Sequence, residues 1–498
     1  MSEKTILRGG LVCDGSGAEP VAGELLIEGE RIVDVGTPGA FREAEAAVID
    51  CAGKVVAPGF IDAHSHGDWR KFKFPENRTK LLQGVTTEVD GNCGESASCV
   101  PDKPGEMPWH DLAGYAKLLA DRPASTNTVA LCGHNSIRRK VMGDRPAATD
   151  DDIRAMRRLL EEAFAAGAAG WTSGLTYLPG KFADTAELEA LSAATRGTEK
   201  IYATHMRSEG DKLLEAVDEA CRIARAGSGR LQVSHLKIMY GRNFHKIDAL
   251  LEKLETEREN GMFLHADRYP YIYASTYIRQ ALPPPYSLDA NIAAELRASE
   301  TLRDEVTEAL KDCPRDLPTA IILRLGKDLT EIAGEKGISV ERAAMEFIME
   351  NPHKFTAYRC MSPENLKRIV SKSWVCAGSD GVSMPLDDPA DNGHPRSVGT
   401  FPRFFRMVAA EYGVGEAVRR MTSLPAQIFR IPERGLVRRG FVADLVVFDA
   451  EKFDSQAGFR GEEPMPTGVS RVLVAGKTAW SADAPERVGC FGRYLPID

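Results

Sequence analysis

The chain has 498 residues, 43% hydrophobic and 27% charged, with a net charge of −9. This is an ordinary globular composition, and the length calls for two or three folding units or one large barrel with additions. The acidic balance argues against nucleic acid or an anionic membrane as partner, since both need a basic face. It leaves room for a small anionic substrate held by a few local cations. The 10 cysteines are scattered with no CxxC pair, which reads as buried thiols rather than a disulfide scaffold. The opening residues lack the basic and apolar runs of a signal peptide, and no apolar stretch is long enough to span a bilayer. A cytoplasmic location is expected.

In chain order, residues 5–54 alternate apolar and polar positions between glycines, the pattern of short half-buried strands. The pattern returns at 440–449 and 469–477. Neither piece has enough apolar surface to fold alone. The two ends, 1–55 and 426–498, are therefore expected to pair into a small β-sandwich beside a main domain at 56–425. In that domain, apolar runs at 55–66, 86–92, 128–133, 169–174, 201–206, 231–235, 262–271 and 374–380 read as strands. Amphipathic helical runs at 150–166, 184–196, 210–226 and 246–258 fall between them, with Asp150 and Asp184 as expected N-caps. Eight strands alternating with helices predict an α/β fold, a (β/α)8 TIM barrel. An open doubly wound sheet is the alternative, and ligand-type residues at many strand ends favour the barrel. The interval from Tyr273 to Phe355 is too long for a loop. It predicts a helical insertion, 281–352, after the seventh strand, covering the C-terminal face as a lid.

In a parallel barrel the C-terminal strand ends meet at one mouth, however distant in sequence. The first strand ends in His64 and His66, two apart and so on one face. The second runs into Gly91-Asn92-Cys93-Gly94, the fifth into Thr204-His205-Met206, the sixth into Ser234-His235-Leu236-Lys237, and the eighth into Gly378-Ser379-Asp380-Gly381. Each motif alone is weak. Together, four histidines, one cysteine and one aspartate are the donors that a borderline-soft ion such as Zn²⁺ takes. A substrate carboxylate would need cations, and Arg396 and Lys237 are placed to supply them.

These motifs, with the preceding Gly59-Phe60-Ile61-Asp62 and the run from His394 to Arg403, resemble the amidohydrolase superfamily. Within it they resemble the N-acyl-D-amino-acid deacylases, or D-aminoacylases. Other dinuclear members use a carboxylated lysine at the end of the fourth strand. Here that strand reads Gly170-Trp171-Thr172-Ser173-Gly174, with Lys181 out in the following loop. Cys93 can replace it, because a metal-bound thiol is deprotonated. The resemblance implies one tight zinc on Cys93, His205 and His235, and a second, weaker position near His64, His66 and Asp380. It implies amide hydrolysis of N-acyl-D-amino acids to a carboxylate and a D-amino acid, by zinc-activated water with Asp380 as general base and acid. It adds Tyr269 and Ser275 to the substrate site, and Tyr177, Tyr358 and Met361 as side-chain pocket positions. The D preference comes from the resemblance alone. Arg268 and Arg359 would favour acidic side chains if they face the pocket, and Glu95 sets an acid beside the cysteine. His134 ends the third strand at the mouth. One alternative is a hydrolase of cyclic amides, of the dihydroorotase or hydantoinase type, which the missing lysine disfavours. The other is a non-catalytic scaffold of the same fold, which would be expected to lose its ligands.

Overall fold

The computed structural model describes the whole chain except residues 1–3, 43–44, 102–104, 106, 144, 290, 324, 383–392 and 460–464. Its centre is a parallel barrel of eight strands: β1 (Phe60–Asp62), β2 (Val85–Asp90), β3 (Asn127–Gly133), β4 (Gly170–Gly174), β5 (Ile201–His205), β6 (Arg230–Val233), β7 (Phe263–Arg268) and β8 (Val375–Ala377). Adjacent strands pair in sequence order throughout, β7 with β8 across the long insertion. The ring closes between β8 and β1, where Ala63 N donates to Ala377 O at 3.3 Å and Asp380 N donates to His64 O at 2.8 Å. Such strands are covered on both faces, so nearly every strand residue is buried. The barrel interior is filled by Ile61, Ala63, Val89, Leu131, Ala169, Ala203 and Cys376. Its floor is closed by the helix Ser423–Ile428 together with Leu495 and Ile497.

The outer helices follow from their apolar spacing. Leu213–Ala226 buries Leu213, Ala216, Val217, Ala220, Ile223 and Ala224, one stripe of a 3.6-residue period. Asp184 caps Thr185–Ser192, accepting from Glu187 N as expected. The helix Asp150–Ala165 instead takes Thr149 as its cap. The Thr149 hydroxyl accepts from Asp152 N while the Asp152 carboxylate accepts from Thr149 N. This reciprocal box satisfies two end donors and outcompetes a cap at Asp150.

The first expected strand divides at Gly59. Val55–Pro58 joins the terminal sheet, pairing parallel to Lys4–Val12 and antiparallel to Leu445–Phe448. Proline cannot donate to a ladder, and a side chain at residue 59 would collide with Thr86 Oγ1. The sheet draws its other strands from both chain ends: Val21–Glu28, Arg31–Gly36, Ala47–Asp50, Val469–Val474 and Lys477–Ser481. These strands form one continuous sheet, and Leu7, Leu25, Ile27, Ile32, Val56, Leu445 and Leu473 cluster as a buried core on it.

The insertion between Tyr273 and Arg359 is helical over Ile292–Ala298, Glu300–Ala309, Leu329–Lys336 and Val340–Glu350. It also contains strands that the helical expectation omitted. Tyr273–Tyr277 pairs antiparallel with Phe355–Arg359, and two short strands complete a four-stranded sheet.

Candidate metal centre and active site

Cys93, His205 and His235 come together at the mouth, with His64, His66 and Asp380 beside them. The Cys93 Sγ lies 3.4 Å from His64 Nε2 and 3.4 Å from His235 Nε2. The His205 and His235 rings are edge-on at 4.5 Å. The donor atoms of Cys93, His205 and His235 lie within 4.8 Å of one another, and so do those of His64, His66, Cys93 and Asp380. The two groups share the sulfur. Asp380 Oδ1 lies 3.0 Å from His66 Nε2 and 3.5 Å from His64 Nε2.

Three of these residues have left-handed backbones: Cys93 (φ 52°), His235 (φ 39°) and Asp380 (φ 49°). Each such turn costs about 1–3 kcal/mol and persists only where its surroundings fix it. Asp380 N is held by His64 O, and His235 N donates to Asp267 Oδ1 at 2.8 Å. Gly94, with φ +80°, has no alternative, since a Cβ there would collide with Asn135 and with the Gly174 backbone.

Two carboxylates stand behind the ring. Asp267 Oδ1 is 3.0 Å from His64 Nδ1, and its other oxygen accepts from Gln232. Glu209 Oε1 is 3.1 Å from His235 Nδ1, and its Oε2 is 3.5 Å from His205 Nε2. Carboxylates in this position fix imidazole orientation and tautomer. The sequence reading missed both. Glu209 carries a signal in retrospect, four residues after His205. Asp267 is an acid near the end of a barrel strand.

The electrostatics suit a cation. Burial would raise the Cys93 thiol, but the His64 and His235 imidazoles overcome it and hold it well below its ordinary value. Burial also opposes ionisation of Asp380, and Arg396, His235 and His64 outweigh it, so the carboxyl stays well below the usual range. His205 Nδ1 is buried without a hydrogen-bond partner among the described residues. A thiolate among imidazoles with a spare buried nitrogen is a donor set that fits Zn²⁺.

The expected substrate residues are placed less uniformly. Arg396 Nη1 pairs with Asp380 Oδ2 at 2.7 Å, its guanidinium lies 4.8 Å from the Tyr269 ring, and its buried Nε has no hydrogen-bond partner among the described residues. Tyr269 is fully buried, and its hydroxyl has no hydrogen-bond partner among the described residues. Lys237 donates to Glu209 Oε1 at 2.6 Å and lies 2.8 Å from His235 Nδ1. Ser275 is half-buried on Tyr273–Tyr277, and no hydrogen bond among the described residues links it to the donor ring. Tyr177 packs edge-on to His205 at 4.9 Å. Tyr358 is fully buried, and Met361 Sδ accepts from Arg268 at 2.9 Å. Arg359 is exposed. His134 is engaged by Glu187 at 2.8 Å, Glu95 is engaged by Arg139 at 2.8 Å, and Lys181 lies 3.5 Å from Ser287.

An eight-stranded parallel barrel carrying paired His/Cys/Asp donors at its mouth defines a metal-dependent hydrolase of the amidohydrolase type, and the amidohydrolase family profile matches residues 47–260. D-aminoacylase of Alcaligenes xylosoxydans xylosoxydans is 32% identical over 495 residues, covering 96% of this chain and 95% of that protein. The N-acyl-D-aspartate deacylase of the same organism is 33% identical, covering 99% and 96%. Among solved structures, N-acyl-D-glutamate deacylase from Bordetella bronchiseptica, complexed with zinc and a phosphonate mimic of the tetrahedral intermediate, superposes with a TM-score of 0.83. It is 29% identical, with both chains fully covered. A D-hydantoinase at 17% identity and TM-score 0.60 shares the fold. The chain belongs to the amidohydrolase superfamily, in its N-acyl-D-amino-acid deacylase branch.

Proposed function

We propose that this protein is a zinc-dependent deacylase that hydrolyses small N-acyl-D-amino acids to a carboxylate and a free D-amino acid. The observation that carries the reading is the sulfur of Cys93 shared between two groups of imidazoles, with the Asp380 carboxylate at their edge. Cys93, His205 and His235 would hold the tighter zinc, and His64, His66 and Asp380 would frame the weaker position. Bound there, zinc polarises the amide carbonyl and acidifies water.

The chain's own groups supply the remainder. Asp380, kept ionised by Arg396, accepts the proton of the attacking water and returns it to the departing nitrogen. His66 and His64 hold its Oδ1 in place. Arg396 receives the substrate α-carboxylate through its fork of donors, and the free Tyr269 hydroxyl donates to the same group. Lys237 and Ser275 complete that cradle, with Lys237 fixed by Glu209. The absence of a lysine on β4 disfavours a cyclic-amide hydrolase. A full donor set disfavours a scaffold. Among the described residues no helix is long and apolar enough to cross a membrane, and a small diffusible substrate fits a cytoplasmic enzyme.

The test is release of free amine from N-acetyl-D- and N-acetyl-L-amino acids by zinc-loaded protein. Turnover of D substrates that stops on chelation supports the reading. Exclusive turnover of L substrates, or of hydantoins, overturns it.

A further inference from the structure

Resting on the deacylase reading, we propose that Lys80 is a positioning residue for the reaction: its buried ammonium locks the His64 and Asp380 loops to each other and so sets where Asp380 stands.

Lys80 lies on the short helix Arg78–Leu81 that leads into β2, and it is fully buried. Lysine is almost never enclosed without a partner, and the hydrolytic chemistry leaves this one unused. Burial opposes its charge, but Asp62 and Glu88 outweigh burial and keep the ammonium protonated. Its Nζ donates to Asp62 Oδ2 at 2.5 Å and to Ser379 Oγ at 2.8 Å, with Glu88 Oε2 at 3.6 Å.

Asp62 and Ser379 are the residues through which the two ligand loops meet. Asp62 Oδ1 accepts from His64 N at 3.2 Å and from Ser379 N at 2.8 Å. Ser379 Oγ donates to Asp62 Oδ2 at 2.6 Å and accepts from Gly381 N at 3.0 Å. The backbone on both sides of Asp380 is therefore tied to the end of β1, at the seam where β8 closes on it. The left-handed turn at Asp380 (φ 49°) needs such surroundings to persist.

The same layer supports the rest of the His64 loop. Ser65 Oγ donates to Glu88 Oε2 at 2.8 Å, Gly67 N donates to Asp90 Oδ1 at 2.9 Å, and Lys71 donates to Asp90 Oδ2 at 2.7 Å. Asp62, Glu88 and Asp90 are thus set against Lys71 and Lys80. Losing the Lys80 ammonium leaves Asp62 a buried charge without its cation, a state relieved only by rearrangement. Asp380 has little room for that, with Oδ1 at 3.0 Å from His66 Nε2 and Oδ2 at 2.7 Å from Arg396 Nη1. Misplacing a reacting group by about 1 Å costs on the order of 100-fold in rate.

The experiment measures kcat, KM and stepwise zinc affinity for wild type, K80M and S379A, on the N-acetyl-D-amino acid that the wild type turns over best. K80M should lose about 100-fold in kcat while KM stays within about threefold. In chelator competition its tighter zinc should hold as in wild type, and the weaker one, framed by His64, His66 and Asp380, should bind about tenfold less tightly. S379A removes one hydroxyl and should lose about tenfold in kcat. K80M/S379A should be little worse than K80M, because both act at one point. An unchanged kcat in K80M, a loss confined to KM, or loss of the tighter zinc together with activity overturns the inference and leaves the deacylase reading standing. A wild type inactive on every D substrate overturns that reading, and the zinc affinities then judge Lys80: both unchanged in K80M overturns the inference, a weakened second zinc alone supports it. If K80M does not fold, K80Q, which keeps a donor without the charge, takes its place beside S379A with the same expectations.

Discussion

At the scale of single residues, Asp380 and Cys93 carry separable tasks. Asp380 sits at the edge of the ring and pairs with Arg396, while Cys93 lies between the imidazoles. D380N keeps the size of the side chain but cannot take a proton. We expect kcat to drop by about 10³, within the usual span for a general base, while zinc per chain measured by mass spectrometry stays near that of the wild type. A normal kcat would remove Asp380 from the chemistry. Asp267 acts through His64 Nδ1, so D267N should weaken zinc retention against a competing chelator by about 10- to 100-fold, with unchanged retention as the contrary result. The six donors were legible because each ends or closely follows a barrel strand. Asp267 and Glu209 were not, because their role lies in what they touch, and nothing in a single sequence marks the partner of an imidazole. The sequence offers Lys237 as a cation for the substrate carboxylate. Its position was legible, whereas its engagement by Glu209 depends on a side chain 28 residues earlier.

At the scale of elements, the strand count and helix order followed from periodicity alone. What periodicity left out is the break at Gly59, where one apolar run serves two sheets, and the small sheet inside the insertion. Residues 273–277 and 355–359 pair across 77 intervening residues, and such pairing leaves no local trace. The Thr149 cap is a local feature, legible as Thr-x-x-Asp, and it prevails over the acidic residue beside it. T149A should lower stability by about 1 kcal/mol, read as a shift in the urea midpoint with zinc bound. No shift would deny the box its role. Alanine at Gly59 meets Thr86 directly and should cost about 2 kcal/mol or more by overpacking, visible in the same measurement.

At the scale of the whole molecule, His265 on β7 links stability to pH away from the active site. Burial first, then Arg258, Arg230 and Arg419, depress its imidazole from the ordinary 6.5 to about 3. The folded value lies below the unfolded one, so the unfolded chain takes up the proton first as the pH falls. The stabilisation is complete above about pH 6.5 and drains away toward pH 3, worth roughly 3–5 kcal/mol in total. H265Q should flatten that slope in pH-dependent urea titrations, and an unaltered slope would assign it to other groups. The same scale explains why the metal centre forms at all. Residues 64, 93, 205, 235 and 380 are far apart along the chain, and the barrel alone brings their strand ends to one mouth.

The most direct measurement is X-ray absorption at the zinc edge of the purified protein, wild type beside C93S. The account predicts one sulfur at about 2.3 Å and nitrogen ligands at about 2.0 Å around zinc in the wild type, with the sulfur shell gone and zinc depleted in C93S. A wild-type zinc surrounded by nitrogen and oxygen only, with the same spectrum in C93S, would contradict it.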